Sequence, residues 1–404
     1  MTPSLTRWLT LLLATTSAMA VATVYFAQPL LESMAAELGV AQQQIGWVVG
    51  ATQAGYALGL LLIVPLGDLV DRKRLLLGQL LFSTLALVGV GTAPNWAILL
   101  LALAITGLMA VMVQVMVAHA ASLASPGQQG QAVGTVTSGV VLGILLARLA
   151  SGGLADLAGW RSVYLVAAGL LMLLALVLWR SLPGGQPMGS RPGYRALIVA
   201  QFSLYRHDRL LRQCGVFGVL IFAAFSVLWS AMVMPLSAAP LALSHTEIGL
   251  FGLFGLAGVA GTLAASHAGR LADHGRGERT TGVSLALLTL SWLPTAFVEH
   301  SLLAFVLGVL MLDFAVQAVH VTNQSLLLAG RGAMASRLIG AYMCCYSLGS
   351  GLGAVLASWV FAHWGWVAVC GLGMGISAVA LCYWLWLQRA RAAEAALQCS
   401  GQNL

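Results

Sequence analysis

In the stretch GVLMLDFAVQAVHVTNQSLLL (308–328), one acid, one histidine and three amides interrupt an apolar run. At about 100° per residue, Asp313, Gln317, His320 and Gln324 fall within about 60° of one another, with Asn323 at the edge of the stripe. A carboxyl and an imidazole on one helical face can handle protons: Asp313 to load and unload one, His320 to relay or tune it. The same groups can act as interhelical glue, each bond contributing about 0.6 kcal/mol, and Gln317, Asn323 and Gln324 suit either role. A charge at mid-membrane costs about 2.5–3.5 kcal/mol to insert, and a purely structural tie needs no charge, which favours chemistry at Asp313. Arg148, in GTVTSGVVLGILLARLASGG (134–153), is the other ionisable residue deep in an apolar run. Arginine keeps its charge, so it needs an anion: a carboxylate on a bound molecule, a helix end, or Asp313.

Softer candidates surround these two. Tyr25 and Gln28 lie about one turn apart in TVYFAQPLLES, where Pro29 can bend a helix. Gln53 and Tyr56 share a face in GWVVGATQAGYALG, and Gln114, Trp229 with Ser230, Tyr342 and Tyr346 add further polar or stacking groups. Each suits substrate binding or ordinary helix contact. Glu32 reads as a solvated end charge and His119 as an interfacial residue. A catalytic set is missing: Asp313 and His320 stand about 10 Å apart along the helix axis, and the six cysteines form no C-x-x-C pair. Lys73 is the only lysine, which excludes a Gly-x-x-x-x-Gly-Lys phosphate loop. No enzyme activity, metal or cofactor is expected.

The elements that position these residues follow from composition. The chain of 404 residues is 60% hydrophobic and 8% charged, against about 25% charged in a soluble globule. Apolar runs sized for the ~30 Å hydrocarbon core recur at 8–33, 44–66, 75–93, 97–122, 132–154, 161–180, 213–238, 246–269, 281–298, 301–326, 338–361 and 366–388. They are continuous and do not alternate, so they read as helices: an all-α membrane protein with twelve spans. Of the 19 Lys and Arg residues, 17 fall in segments that share one side if the N-terminus is cytoplasmic. The net charge of +7 is thus topological and implies no nucleic-acid partner. Arg7 followed by WLTLLLATTSAMA resembles a signal peptide, but removing it would invert that charge bias, so the run reads as the first span.

The phrase GDLVDRKR (67–74) returns as GRLADHGR (269–276), 202 residues later. Gln114 and Gln317 pair at an offset of 203; Gly143 and Gly349, and Gly159-Trp160 and Gly365-Trp366, pair at 206. The chain therefore reads as a six-helix unit duplicated in parallel. The divisions are a first bundle (1–180), a cytoplasmic linker (181–210) whose later part suits an amphipathic surface helix or a plain tether, a second bundle (211–390) and a cytoplasmic tail (391–404). Glycines every third residue in GLFGLFGLAGVAG (249–261), and again in GSGLG (349–353), allow close helix approach.

On these features the sequence resembles the major facilitator superfamily, and its bacterial drug:proton antiporter and small-molecule efflux branch. The signature Gly-x-x-x-Asp-Arg-x-Gly-Arg is matched by Gly67, Asp71 and Arg72, with Arg74 at the usual second Gly; the second copy keeps Gly269 and Asp273, with Arg276 following His274. The resemblance implies two pseudo-symmetric six-helix bundles, a cytoplasmic gate at these loops, and a central cavity lined by helices 1, 4, 7 and 10. Two departures stand out: Ile144 replaces the proline of the antiporter motif, and Leu103 replaces the helix-4 arginine linked to proton coupling, leaving Asp313 or Glu32 for that task. The implied function is secondary active transport of a small organic molecule, by proton-coupled efflux or, alternatively, by proton-coupled or facilitated uptake. A receptor or assembly factor that transports nothing is the alternative of another class. The expected setting is a monomer among inner-membrane lipids, with both termini cytoplasmic.

Overall fold

The computed structural model describes residues 6–125, 128–183, 193–255, 277–329, 331 and 334–401. Helix α1 spans Arg7–Glu37 and α2 Gln42–Gly67; α3 is Arg72–Gly91, α4 Trp96–Leu123, α5 Gln129–Ala158 and α6 Trp160–Ser181. After an amphipathic helix, Tyr194–His207, come α7 (Arg209–Ser237), α8 (His245–Leu250), α9 (Gly277–Leu290) and α10 (Leu302–Leu328). The final element, Ala335–Gly401, divides at Gly365 into α11 (335–364) and α12 (366–401). Caps set several starts: Asp71, Asn95, Asp208 and Ser301 each accept a bond from a backbone N–H three residues on.

Among the described residues, nine stretches are long and apolar enough to cross a membrane, and the last of them holds both α11 and α12. One expected span differs, and another lies mostly outside the described residues. Only the start of the eighth is described, as α8 and a 3₁₀ turn, Phe251–Gly255; the ninth ends at Leu290 and resumes as Trp292–Thr295. Pro294, which lacks an N–H, sits at this break. In α1, Pro29 lies within a 3₁₀ turn, Gln28–Leu30, that interrupts the helix beside Gln28. The outer surface is apolar, with Leu101, Leu173, Val283, Leu303 and Val367 exposed, as a lipid-facing surface requires.

Small residues bring the helices together. A Cβ on Gly143 would lie 2.3 Å from the Ala18 carbonyl oxygen, and one on Gly349 2.2 Å from that of Val219. These two contacts, α5 on α1 and α11 on α7, are repeat mates at offsets of 206 and 201 residues, so the duplication extends to helix packing. Gly159 (φ 78°) and Gly365 (φ 73°) both take left-handed turns ahead of a buried tryptophan, a backbone that favours glycine. Arg7, Arg72, Arg74, Arg180, Arg209 and Arg331 lie toward one end of the helices, the basic end.

Candidate functional site

Among the helices the two halves meet around Trp229. Arg148 of α5 is 2% exposed, and its guanidinium carbon lies 3.7 Å from the Trp229 ring centroid and 5.1 Å from that of Tyr25. Its Nε donates to Gln28 Oε1, while its Nη2 is buried without a hydrogen-bond partner among the described residues. The edge of the same indole carries Nε1, which donates to Asp313 Oδ1 at 3.1 Å. One aromatic ring of α7 thus holds a cation of the first half on its face and an acid of the second half on its edge, all three groups almost fully buried. A desolvated cation–π contact contributes about 2 kcal/mol or more, and a hydrogen bond to a charged group about 1.5–3 kcal/mol.

Among the described residues Arg148 does not touch Asp313, which is reached through Trp229; its bonded side chain is Gln28, which is outside the three expected partners. Trp229 stands 201 residues after Gln28, the offset of the Ala18–Val219 pair. Two of the three residues that contact Arg148, Gln28 and Trp229, therefore occupy equivalent positions of the repeat.

Around this centre Tyr25 Oη lies 2.9 Å from Tyr346 Oη, linking α1 to α11. Tyr346 is edge-on to Tyr56 and to Phe222. Gln53, with its Oε1 unpaired, sits by Tyr346, and Gln114 by Tyr56. His320 belongs to a different group from Asp313. Its Nδ1 is 3.0 Å from Tyr342 Oη, its Nε2 is 3.2 Å from Gln324, and Phe222 meets its ring edge-on. Asn323 is buried near Tyr342, and Gln317 is half-buried. The helical stripe thus divides into an acid that looks to Trp229 and a histidine that looks to Tyr342, and no contact joins them among the described residues.

The end opposite the basic one is sealed by contacts between the halves. Asp156, at the end of α5, accepts from His245 Nδ1 (2.6 Å) and from the backbone N–H and hydroxyl of Thr246 (2.8 and 2.5 Å). The other ring nitrogen of His245 lies 2.5 Å from Ser33 Oγ of α1. Glu32, expected as a free end charge, instead accepts from Ser237 of α7; it is half-buried because that end is closed. Gly152 and Gly249 let α5 and α8 touch through main chain, a Cβ on either falling 2.2 and 2.5 Å from the opposing carbonyl oxygen. Gly46 of α2 does the same against Ala354 of α11. Apart from Glu32, the latch side chains Ser33, Asp156, Ser237, His245 and Thr246 are not singled out by the sequence; the SHTE capping box at 244–247 is the one local signal.

Asp156→Asn keeps the shape of the latch and removes its charge. It is expected to speed labelling of an Ala27→Cys reporter, at a position 4% exposed, by an impermeant maleimide on the sealed side by about tenfold or more, as loss of one charge-assisted bond implies. An unchanged rate would show that Asp156 does not hold this end shut.

At the basic end Asp71 caps α3, and Arg72 donates to Gly67 O (3.5 Å) and Ala118 O (3.3 Å), tying the 67–74 loop to α4. Arg74 is exposed. His119, next to that tie, is fully buried with neither ring nitrogen bonded, so it is not interfacial as expected. Gly269, Asp273 and Arg276 lie outside the described residues. The amphipathic helix Tyr194–His207 bonds to both halves, from Tyr194 Oη to Leu62 O (2.8 Å) and from Tyr205 Oη to Ala341 O.

Long apolar helices, a buried polar centre shared by two repeated halves and a sealed end define a membrane carrier. The family profile described as Major Facilitator Superfamily matches residues 11–329 and 215–398. The "Putative uncharacterized transporter YgaY" of Escherichia coli (strain K12) is 42% identical, over 90% of this chain and 91% of its own. The "Multidrug resistance protein MdtG" of Klebsiella pneumoniae (strain 342) is 29% identical over 66% of each. A solved bacterial homolog to the human lysosomal transporter Spinster, inward-facing and occupied, shares the fold with a TM-score of 0.75 at 14% identity, over 95% of this chain and 96% of that one. The chain belongs to the major facilitator superfamily. It has that family's fold of twelve helices in two bundles and is a multi-pass membrane transporter, not an enzyme.

Proposed function

We propose that this transporter exports a small organic molecule from the bacterial cytoplasm in exchange for protons, with Asp313 as the proton site. The observation that carries this reading is the Arg148–Trp229–Asp313 bridge, in which the cation belongs to one half and the acid to the other. When the halves (1–180 and 211–390) rock, Arg148 must slide off the indole that Asp313 holds, and protonating Asp313 weakens the charge attraction across that ring. Occupancy of one carboxyl is thereby linked to which side is open. Inward proton movement supplies about 2.3 kcal/mol per charge per 100 mV.

The basic end is cytoplasmic by the charge rule, which puts both termini inside the inner membrane and the Asp156 latch outside. The loop of Gly67, Asp71, Arg72 and Arg74, with its second copy, is the cytoplasmic gate, and the monomer is the working unit. The similarity to MdtG, a multidrug resistance protein, supports a small organic molecule as the cargo. Everted vesicles energised by respiration, with acridine orange reporting acidification, test the proposal. A substrate exchanged for protons restores fluorescence only where the protein is present. Substrate movement without any proton release would overturn it.

A further inference from the structure

We infer that the molecule bound between Arg148 and Asp313 is a small zwitterion, a free α-amino acid with an apolar side chain, whose carboxylate meets Arg148 and whose ammonium meets Asp313. This rests on the transport reading above and names its substrate class.

The argument starts from what Arg148 lacks. Its face is covered by Trp229 and flanked by Tyr25, and its Nε is used by Gln28, but Nη2 is buried and has no hydrogen-bond partner among the described residues. Aromatic rings satisfy the face of a guanidinium and leave its N–H edge unanswered; the group that answers the edge is an anionic acceptor such as a carboxylate. Asp313, at the edge of the same indole, accepts the Trp229 N–H, and no ion pair within 4 Å joins it to Arg148 among the described residues. Two opposite charges thus meet one ring, at its face and its edge, without an ion pair between them.

Ligand charge then decides the class. A simple anion on Arg148 would bring a second negative charge beside Asp313, in a place where unpaired charge is costly. A simple cation on Asp313 would leave the Arg148 edge unanswered. A zwitterion answers both groups and adds no net charge. Its ammonium also competes with a proton for the same carboxyl, as exchange requires. Phe222 and Tyr346, in contact with each other beside Tyr25, offer an aromatic wall for an apolar side chain.

The test is equilibrium binding to the purified full-length protein, using L-leucine, L-phenylalanine and L-methionine, their N-acetyl forms (carboxylate alone) and their methyl esters (ammonium alone). At least one free amino acid is expected to bind, and its two derivatives about 10- to 100-fold more weakly. Arg148→Lys, which loses the planar fork, is expected to weaken the free and N-acetyl forms and leave the ester unchanged. Asp313→Asn is expected to weaken the free form and the ester and leave the N-acetyl form unchanged, a reciprocal pattern that a folding defect cannot produce. No binding by any free amino acid, or a derivative that binds as tightly as its parent, overturns the inference. Failure of the transport reading would look different: the reciprocal pattern with no proton release in vesicles. Proton exchange driven by a molecule lacking either charge would keep that reading and discard the zwitterion.

Discussion

Asp313→Asn protein in energised vesicles is expected to let substrate equilibrate but never accumulate. Asparagine fits the space and can still accept the Trp229 N–H, so the fold and the indole remain in place. What disappears is the carboxyl that alternates between charged and protonated. At a driving force of about 100 mV, one proton per cycle supports about 50-fold accumulation, and the variant should fall to none. The inside-to-outside ratio of a labelled substrate, with and without an uncoupler, measures this directly. Full uncoupler-sensitive accumulation by the variant would remove Asp313 from the coupling step.

Trp229→Ala should do the greatest damage to the site. It deletes the ring under Arg148, the donor to Asp313 and a large buried side chain in one change. Emptying a buried aromatic site costs about 3–5 kcal/mol, and two desolvated ionisable groups lose their common neighbour. A clear drop in the thermal midpoint in detergent and a more than 100-fold loss of ligand affinity are expected together. Trp229→Phe separates the contributions: the apolar face stays under the guanidinium while the N–H is lost, so about 1.5–3 kcal/mol should go and most of the stability should remain. If alanine and phenylalanine behave alike, the contact of ring face with Arg148 carries nothing.

The sequence shows which charges are expensive better than it shows what they touch. Asp313 and Arg148 stand out because a charge in a long apolar run is costly in any fold. Trp229 does not, since tryptophan is a frequent helix-contact residue; its position 201 residues after Gln28 becomes meaningful only once the repeat is aligned through contacts such as Gly143–Ala18 and Gly349–Val219. The helical stripe gives a direction from the axis and no neighbour, so it groups His320 with Asp313 although the partners of His320 are Tyr342 and Gln324. Asp156 and His245 escape notice because charged residues at span ends are ordinary; their meaning lies in a pairing across the two halves. The fold is more legible, because hydrophobic length alone dictates spans. Its exceptions are local, as at Pro294, where a missing N–H ends α9 early.

The matched turns at Gly159 and Gly365, each leading into a buried tryptophan, carry a historical implication. A half-length forerunner would have worked as two identical copies inserted the same way, so any ionisable group near the axis would have faced its own duplicate. Fusion into one gene freed the copies to diverge: the counterpart of Arg148 at an offset of 206 is Ala354, and that of Asp313 at 203 is Ala110. A single cation on the face of one ring and a single acid at its edge, neither with a twin in the other half, are something a symmetric ancestor could not have owned.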